Sequence, residues 1–573
     1  MIPESVIPID ADVLIIGGGT AGCMAALTAK ELAPQLKVVI MEKAQIERSG
    51  CLAKGVNALN ACIHSQETPE SFVAHVKRDC REVVREDLLY SMAERLNDTI
   101  GKVEQWGLPI PRNEKGDYIY RSKRSIVVQG ERLKPLLAKM VLKAGVMVIN
   151  RIAATNFIIY DGQAAGAFGL NIRTGEFYVV NAKAVICATG GASGIYPPEF
   201  SSAASHKMWY SPFNTGTGYA MGIRAGAEMT TFEMRFITTR LKYTQAPTGA
   251  LAQGFDVPLI NVQGEDFIKK RVDSNECKNT TFYRVFAVIQ ELKEGRGPCF
   301  MDTTRLTGEQ LEVLKRMYLN VSPDTLLFWK ANGIDPQKEP IEISLSEPYV
   351  VGGHSQSGYW VDGDRHTTIP GLFAAGDVAG GAPKKYIPGC WVEGQIAARG
   401  ALAFIRSPRA RLYPDQAQIE KERERVYRFY APEKKALEGI TPHELEERLQ
   451  IVMDECAGGR RNFFEMNEWG LKMAQKRLTQ LTREADYLLA ENMHELMCAH
   501  EVVDRIDVAR VVVAHLLGRR ETRWPGFQTR TDYPHCGGTS WCKFINSSMN
   551  PESGVITLVE RDIKGYQQFH YHN

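Results

Sequence analysis

The sequence predicts an α/β protein: a Rossmann-like first domain, an α+β capping domain inserted into it, and a C-terminal helical domain. Three observations carry this. The apolar run Val13-Leu14-Ile15-Ile16 ends in three glycines, passes into an alanine-rich helix-prone stretch, and is followed by a second apolar run, "KVVIMEK". Short apolar runs closing on glycine recur at 184–191 ("AVICATGG") and 371–381 ("GLFAAGDVAGG"). From roughly 415 to 517 the chain becomes charged with helical spacing.

The opening is a strand, a tight turn, a helix and a second strand ending near Glu42, the start of a βαβ unit. Residues 66–108 show apolar positions at helical spacing, with Gly107 as a stop. A strand-rich region follows, and Asp161-Gly162 in "FIIYDGQAAGAFGLN" marks a hairpin. The βα rhythm lapses over 236–345 and returns at "YVVGGHSQSGYWVD". The expected division is therefore 1–235 with 346–410, an insertion at 236–345, and 411–573, the stretch after Arg523 being an irregular wrap rich in Pro, Gly and aromatics.

With 573 residues the chain is too long for one ordinary core. A formal net charge of +2 is too balanced for a nucleic-acid or membrane-surface role, and no apolar run is long enough to span a bilayer. The start of the chain has no basic region followed by an apolar stretch, so the expectation is a cytoplasmic protein. Twelve scattered cysteines form no C-x-x-C pair and no cluster spacing, so neither a metal site nor an iron–sulfur cluster is expected in this chain.

Gly17-Gly18-Gly19-Thr20-Ala21-Gly22 fits G-x-G-x-x-G: Gly17, Gly19 and Gly22 permit the turn and close approach to a pyrophosphate, and Thr20 and Ala21 open the helix whose N-terminus favours anions. Glu42, twenty residues beyond Gly22 and followed by Lys43, is placed to accept ribose hydroxyls. The strand ending in Ala188-Thr189-Gly190 and the segment carrying Asp377 resemble the FAD-binding segments of flavoproteins, as does the Ser49-Gly50 loop directly after Glu42.

The chain then resembles the succinate dehydrogenase, fumarate reductase and aspartate oxidase flavoproteins, and within them the alpha subunits of dissimilatory adenylylsulfate reductases. The likeness runs through "ERSG…NALN", "VVQGERLKP", "WYSPFNTGTGYAMGIRAGAEMTTFEMRFITTR", "EGRGPCFMDT", "EPYVVGGHSQSGYWV" and "ETRWPGFQTRTDYP…WCKFINS". Membrane-bound members carry a histidine covalently bonded to FAD where this chain has Gly50, so a non-covalent FAD is implied. The resemblance places Asn60, Trp209, Arg240, Arg296 and His354 on the substrate cavity and matches Glu131 to a conspicuous acid. Guanidinium groups at 240 and 296 would hold a sulfate, Trp209 would pack on a nucleotide, and His354 would orient substrate or assist proton transfer. Each has a plain alternative: a core tryptophan, half of a structural ion pair, a satisfied buried histidine. The implied reaction interconverts adenosine 5′-phosphosulfate with AMP plus sulfite, and the implied electron supplier is an iron–sulfur, ferredoxin-like beta subunit.

Two other readings stand beside it. A dicarboxylate enzyme of the fumarate reductase kind would carry an arginine in the stretch after Asp377, where this chain has Lys384 and Lys385. An electron-relay flavoprotein would need no substrate cavity at all. The C-terminal aromatics Trp524, Phe527, Trp541 and Phe544 either dock the partner or wrap the helical domain.

Overall fold

The computed structural model describes residues 6–60, 62–63, 66–200, 206–244, 255, 257–271, 280–407, 411–433 and 439–563. Its centre is a parallel sheet. β1 (Val6–Ile16) lies between β2 (Val38–Glu42) and the strand Phe177–Cys187, with Ile15 opposite both Ile40 and Ile186. Met147–Asn150 extends the sheet beyond β2, and Leu372–Ala374 pairs in parallel with the end of Phe177–Cys187. Both faces of these strands are covered, so they read as unbroken apolar runs: Val13 to Ile15 and Val39 to Ile40 are fully buried.

This parallel alignment brings Gly17, Glu42, Ala188 and Ala375, which follow or close four different strands, to one edge of the sheet. Such carboxyl-end edges are where open α/β sheets bind ligands. α1 (Thr20–Leu32) covers the sheet and packs closely on the helix Tyr386–Arg406, because Gly394 lacks the Cβ that would strike the Ala21 carbonyl oxygen.

The hairpin Ile152–Tyr160 and Gln163–Asn171 turns at Asp161 and Gly162, both at positive φ (47° and 73°), and continues the main sheet in antiparallel fashion. The predicted helical stretch 66–108 forms Pro69–Asp79, Glu86–Ala93 and Leu96–Gln105. The α+β insertion is built on an antiparallel sheet of Thr239–Leu241, Ile341–Leu345, Cys299–Met301 and Leu259–Ile260, with helices that include Thr281–Lys293, Gly308–Val321 and Pro323–Asn332. The later helices are Gln416–Tyr427, Pro442–Cys456, Glu468–Glu484 and Met493–Gly518. No helix among the described residues is long and apolar enough to cross a membrane.

The tail departs from the expected irregular wrap. Lys543–Met549 and Ile556–Asp562 form a hairpin that joins Met229–Thr230 and Gly358–Tyr359 in one antiparallel sheet. Phe544, Ile545, Asn546 and Ser547 are buried in succession, on both faces of the strand, which is why no apolar alternation announces it. Asn546 donates to Glu228 (2.6 Å), and Ser547 shares a 2.8 Å hydrogen bond with His515. Trp524, Phe527 and Phe544 are buried, and the Trp524 indole donates to the Cys80 carbonyl (3.0 Å), so these three hold the chain together rather than face a partner.

Candidate active site

A long trough follows the carboxyl edge of the sheet. Its lining includes Gly17, Gly19, Thr20, Ala21, Glu42, Lys43, Gly50, Ala188, Thr189, Gly190 and Asp377, drawn from five separate segments of the chain. Gly17 has φ +98°, and a Cβ there would stand 2.6 Å from the Ala188 carbonyl oxygen; one on Gly22 would strike the Gly17 carbonyl. Gly22 does not line the trough; it lets α1 start directly under the turn. Above Gly19, by contrast, nothing lies within 4 Å of where a Cβ would be, and no side chain caps α1 there. That uncapped helix start beneath open space suits the phosphates of a dinucleotide.

Glu42 is buried, accepts from the Gly18 amide (2.8 Å) and the Ala44 amide (2.7 Å), and faces the trough with its remaining lone pairs. Lys43 reaches the Phe213 carbonyl (2.7 Å) and Glu501 (2.6 Å). Ser49 lies behind Gly50, 3% exposed, with an Oγ that has no partner among the described residues. A buried orphan hydroxyl beside an open cradle fits a site built around a polar ligand.

Lys134 is a residue that sequence reasoning missed. It is 2% exposed, and its Nζ donates to the Gly18 carbonyl (2.5 Å), pinning the glycine turn from beneath. It belongs to the apolar stripe Lys134, Leu137, Ala138, Val141 of the helix Leu133–Lys143; a lysine on that stripe was the available signal. Glu131, taken from the same "GERLKP" segment as a site acid, instead faces solvent on the short 3₁₀ turn Gly130–Arg132 and lines neither the trough nor the cavity beside it.

Asp377 sits where the trough meets a second cavity of about 690 Å³. Thr20, Cys51, Leu52, Tyr210 and Cys390 line both spaces with it. Tyr210 donates to Asp377 (2.8 Å), and Gly353 must lack a side chain because a Cβ would strike that carboxylate. The adjoining segment holds Lys384 and Tyr386 at positive φ (57° and 48°). Lys385 between them is buried and donates to the Gly376 (2.8 Å) and Ala379 (2.7 Å) carbonyls, with Glu393 at 3.1 Å and Arg365 beyond. This internal ion cluster holds the strained segment in place.

Of the residues assigned to substrate, Asn60, Trp209 and His354 line the second cavity. Trp209 packs on Phe236 (4.9 Å between ring centres) and edge-on to His354 (4.9 Å), which in turn meets Tyr386 (5.3 Å). Burial depresses the His354 pKa, opposed by the Asp377 carboxylate, so its ring is neutral near pH 7, and its Nδ1 has no partner among the described residues.

The two arginines are placed otherwise. Arg240 is wholly buried, pairs with Glu199, and has Glu347 at 3.7 Å. Thr238 and Thr239 line the cavity, whereas the Arg240 side chain runs to Glu199 and the Lys207 carbonyl. It still bears on the wall. Glu347 accepts from the Tyr349 hydroxyl, and that oxygen accepts from the Trp209 amide (3.1 Å), so Arg240 is a positioning residue one layer behind the tryptophan. Arg296 is held by Glu291 (2.7 Å) and Glu294 at the edge of the cap and does not line the cavity. Glu291 and Glu294 take its Nε and Nη2: burial would raise the Glu291 pKa, but bonds from Arg296, Asn261 and Arg271 hold it at about 2. The glycine flanks at 295 and 297 serve a tight turn.

The cavity's cations come instead from elements outside these motifs, among them Arg121, Lys123, Arg124 and Lys384. They stand on the small sheet Ala58–Asn60, Ser125–Val127, Tyr120–Ser122 and on the strained segment.

Comparison with known proteins accords with this geometry. A family model described as an FAD binding domain matches residues 12–390. The adenylylsulfate reductase subunit alpha of Megalodesulfovibrio gigas is 27% identical, over 94% of this chain and 93% of its own length. Adenylylsulfate reductase from the hyperthermophilic Archaeoglobus fulgidus superposes with a TM-score of 0.93 at 34% identity, covering 99% of this chain and 98% of that one. An adenosine-5-phosphosulfate reductase in complex with sulfite, as a covalent adduct, gives 0.94 at the same identity and coverage. FAD is thus the cofactor of an oxidoreductase, and the trough fits it. The chain belongs to the FAD-binding flavoproteins of the succinate dehydrogenase and fumarate reductase superfamily, in the branch of the adenylylsulfate reductase alpha subunits.

Proposed function

We propose that this protein is the catalytic flavoprotein subunit of an enzyme interconverting adenosine 5′-phosphosulfate with AMP and sulfite. The observation that carries the reading is the cavity that opens onto the trough at Asp377 and is walled by cations and a flat aromatic surface. That combination suits a substrate with a planar base at one end and oxyanions at the other. The full-length likeness to adenylylsulfate reductases, one of them holding sulfite, supports the same substrate.

FAD, held without a covalent bond, supplies two-electron transfer. In the reductive direction two electrons enter the sulfo group, the bond between sulfur and the bridging phosphate oxygen breaks, and that oxygen keeps the bonding pair as AMP departs; sulfur leaves as sulfite. Trp209 offers the face for the base, and Asn60 offers an amide to substrate or flavin. His354, neutral near pH 7, takes or gives a proton at its free Nδ1. Arg240 keeps Trp209 in place through Glu347 and Tyr349.

The electrons come from an iron–sulfur protein, a ferredoxin-like beta subunit. The naming of the Megalodesulfovibrio gigas relative as an alpha subunit supports a second chain.

The test is oxidation of a reduced dye by the FAD-loaded protein. Adenylylsulfate-dependent oxidation with no response to fumarate is expected. Turnover of fumarate without adenylylsulfate would assign the protein to the dicarboxylate enzymes. Failure with both, and no change in the flavin spectrum on adding AMP or sulfite, would make it an electron relay.

A further inference from the structure

Three cations on the cavity wall already have acids: Lys123 and Arg124 meet Glu67 (3.0 and 2.8 Å), and Lys384 meets Asp79. His75, which approaches Lys384 at 3.1 Å, is pushed down to about 4 by burial and by that ammonium, so it adds no charge near neutrality. Arg121 is different. It lines the cavity, and the bond it makes among the described residues is from Nη1 to the side-chain oxygen of Asn57 (3.3 Å). Burial lowers its pKa from the usual guanidinium value, the Tyr386 phenol opposes the shift, and among the described residues no carboxylate contributes.

Asn57 completes the arrangement. It lines the same cavity at 6% exposure, and its Nδ2 has no hydrogen-bond partner among the described residues. Its orientation is fixed, because turning the amide over would set donor against donor at Arg121. A largely buried guanidinium with no carboxylate among the described residues, beside a buried amide donor with no acceptor among them, is costly unless a ligand brings negative charge and acceptor oxygens. Both stand at the small sheet that also carries Asn60, and Asn57 follows Cys51 and Leu52, which line the cofactor trough, by a few residues.

We propose that Arg121 and Asn57 together form the oxyanion-anchoring site of the substrate cavity, the task first assigned to Arg240 and Arg296. The assignment deepens the proposed function and rests on it. The ligand chemistry is an oxyanion with acceptor oxygens for both donors, carried by either the sulfo or the phosphate end of the substrate.

The experiment uses the FAD-loaded protein and its variants Arg121→Gln, Arg121→Lys and Asn57→Asp, with sodium sulfite and AMP titrated separately. Sulfite is read by the flavin spectrum and AMP by calorimetry, alongside flavin content and Tm. Arg121→Gln is expected to weaken at least one ligand tenfold or more, and Arg121→Lys to recover part of the loss. Weakening of sulfite alone puts the sulfo end at Arg121; weakening of AMP alone puts the phosphate there. Asn57→Asp gives Arg121 an internal carboxylate and should weaken the same ligand. Unchanged affinities for both ligands, with FAD retained, would overturn the assignment. Where Arg121→Gln loses FAD, Asn57→Asp decides: unchanged binding overturns the site. Should wild-type protein bind fumarate and neither sulfite nor AMP, the proposed function fails; the same variants titrated with fumarate then still decide the role of Arg121.

Discussion

The floor of the active site and its far wall are built from different material. The floor is backbone: glycines that admit no Cβ, an uncapped helix start, and amide and carbonyl groups held by Glu42 and Lys134. The wall is side chains, and its character depends on which cations already have partners. A backbone site demands particular residues at fixed spacing, whereas a side-chain site can be rebuilt from any element that reaches it. The floor should therefore break under the smallest insertion, and the wall only when a named charge is removed.

The sharpest break is expected at Gly22. Replacing it with Ala puts a methyl group against the Gly17 carbonyl, where only a shift of the turn from α1 can relieve the clash. The variant should purify with almost no flavin, as read from the ratio of flavin to protein absorbance. Stoichiometric FAD would show that the turn is plastic and that the contrast between floor and wall is wrongly drawn.

This contrast also explains what the sequence made legible. The βαβ start, Glu42, the strand ends at 188 and 374, and the hairpin at Asp161-Gly162 were all readable because backbone geometry dictates residue type. The tail hairpin was not, because four successive residues, Phe544 to Ser547, are buried and two apolar ones are followed by two polar ones, with no alternation. Asn60, Trp209 and His354 were readable through family resemblance and do meet in one cavity. Arg240, Arg296 and Glu131 came from equally suggestive motifs, yet a motif does not say which way a side chain leaves its strand or which acid waits for it. Arg121 escaped notice for the converse reason: "YRSKRS" looks like a solvated basic run, and only the folded chain separates the arginine that meets no acid among the described residues from the neighbours that share Glu67.

Next in size is the loss of Arg240. Its removal leaves the buried Glu347 without its cation and Glu199 with Arg460 at 3.4 Å. Breaking a buried ion pair in this way costs about 3–5 kcal/mol. Arg240→Ala should accordingly lower the urea midpoint and Tm strongly. In protein that remains folded and flavinated, the affinity for sulfite should survive while packing at Trp209 loosens. A variant of undiminished stability that no longer binds sulfite would restore Arg240 to the anion site.

The wall also carries a pH signature. The His75 pKa falls from 6.5 to about 4, mainly by burial and then by Lys384. Between those values the unfolded chain holds a proton that the folded protein refuses, so stability is full above pH 6.5, declines as pH drops toward 4, and levels off below. A shift of that size corresponds to about 3 kcal/mol across the window. His500, lowered to about 3 by burial and by Arg425, acts in the same direction beside the trough. Denaturation curves taken from pH 7 to pH 4 should show a smaller loss for His75→Asn than for wild type; equal losses would mean that His75 is protonated in the folded protein.

The smallest effect belongs to Arg296, and it bears most directly on how the cavity is drawn. Its carboxylate partners lie beside it at the cap edge, in contact with Arg271 as well, so removal leaves Glu291 and Glu294 with a second guanidinium. Glu291 is buried but keeps Arg271 and Asn261 as partners, and Glu294 keeps Arg271, so the cluster tolerates the loss of one member. Arg296→Ala should keep its FAD, its Tm and its response to sulfite and AMP, in contrast to Arg121→Gln. If instead Arg296→Ala loses substrate affinity with its flavin intact, the cap must close by several ångströms in the working enzyme to carry that guanidinium inward, and the wall described here would be the open form of a site that Arg296 completes.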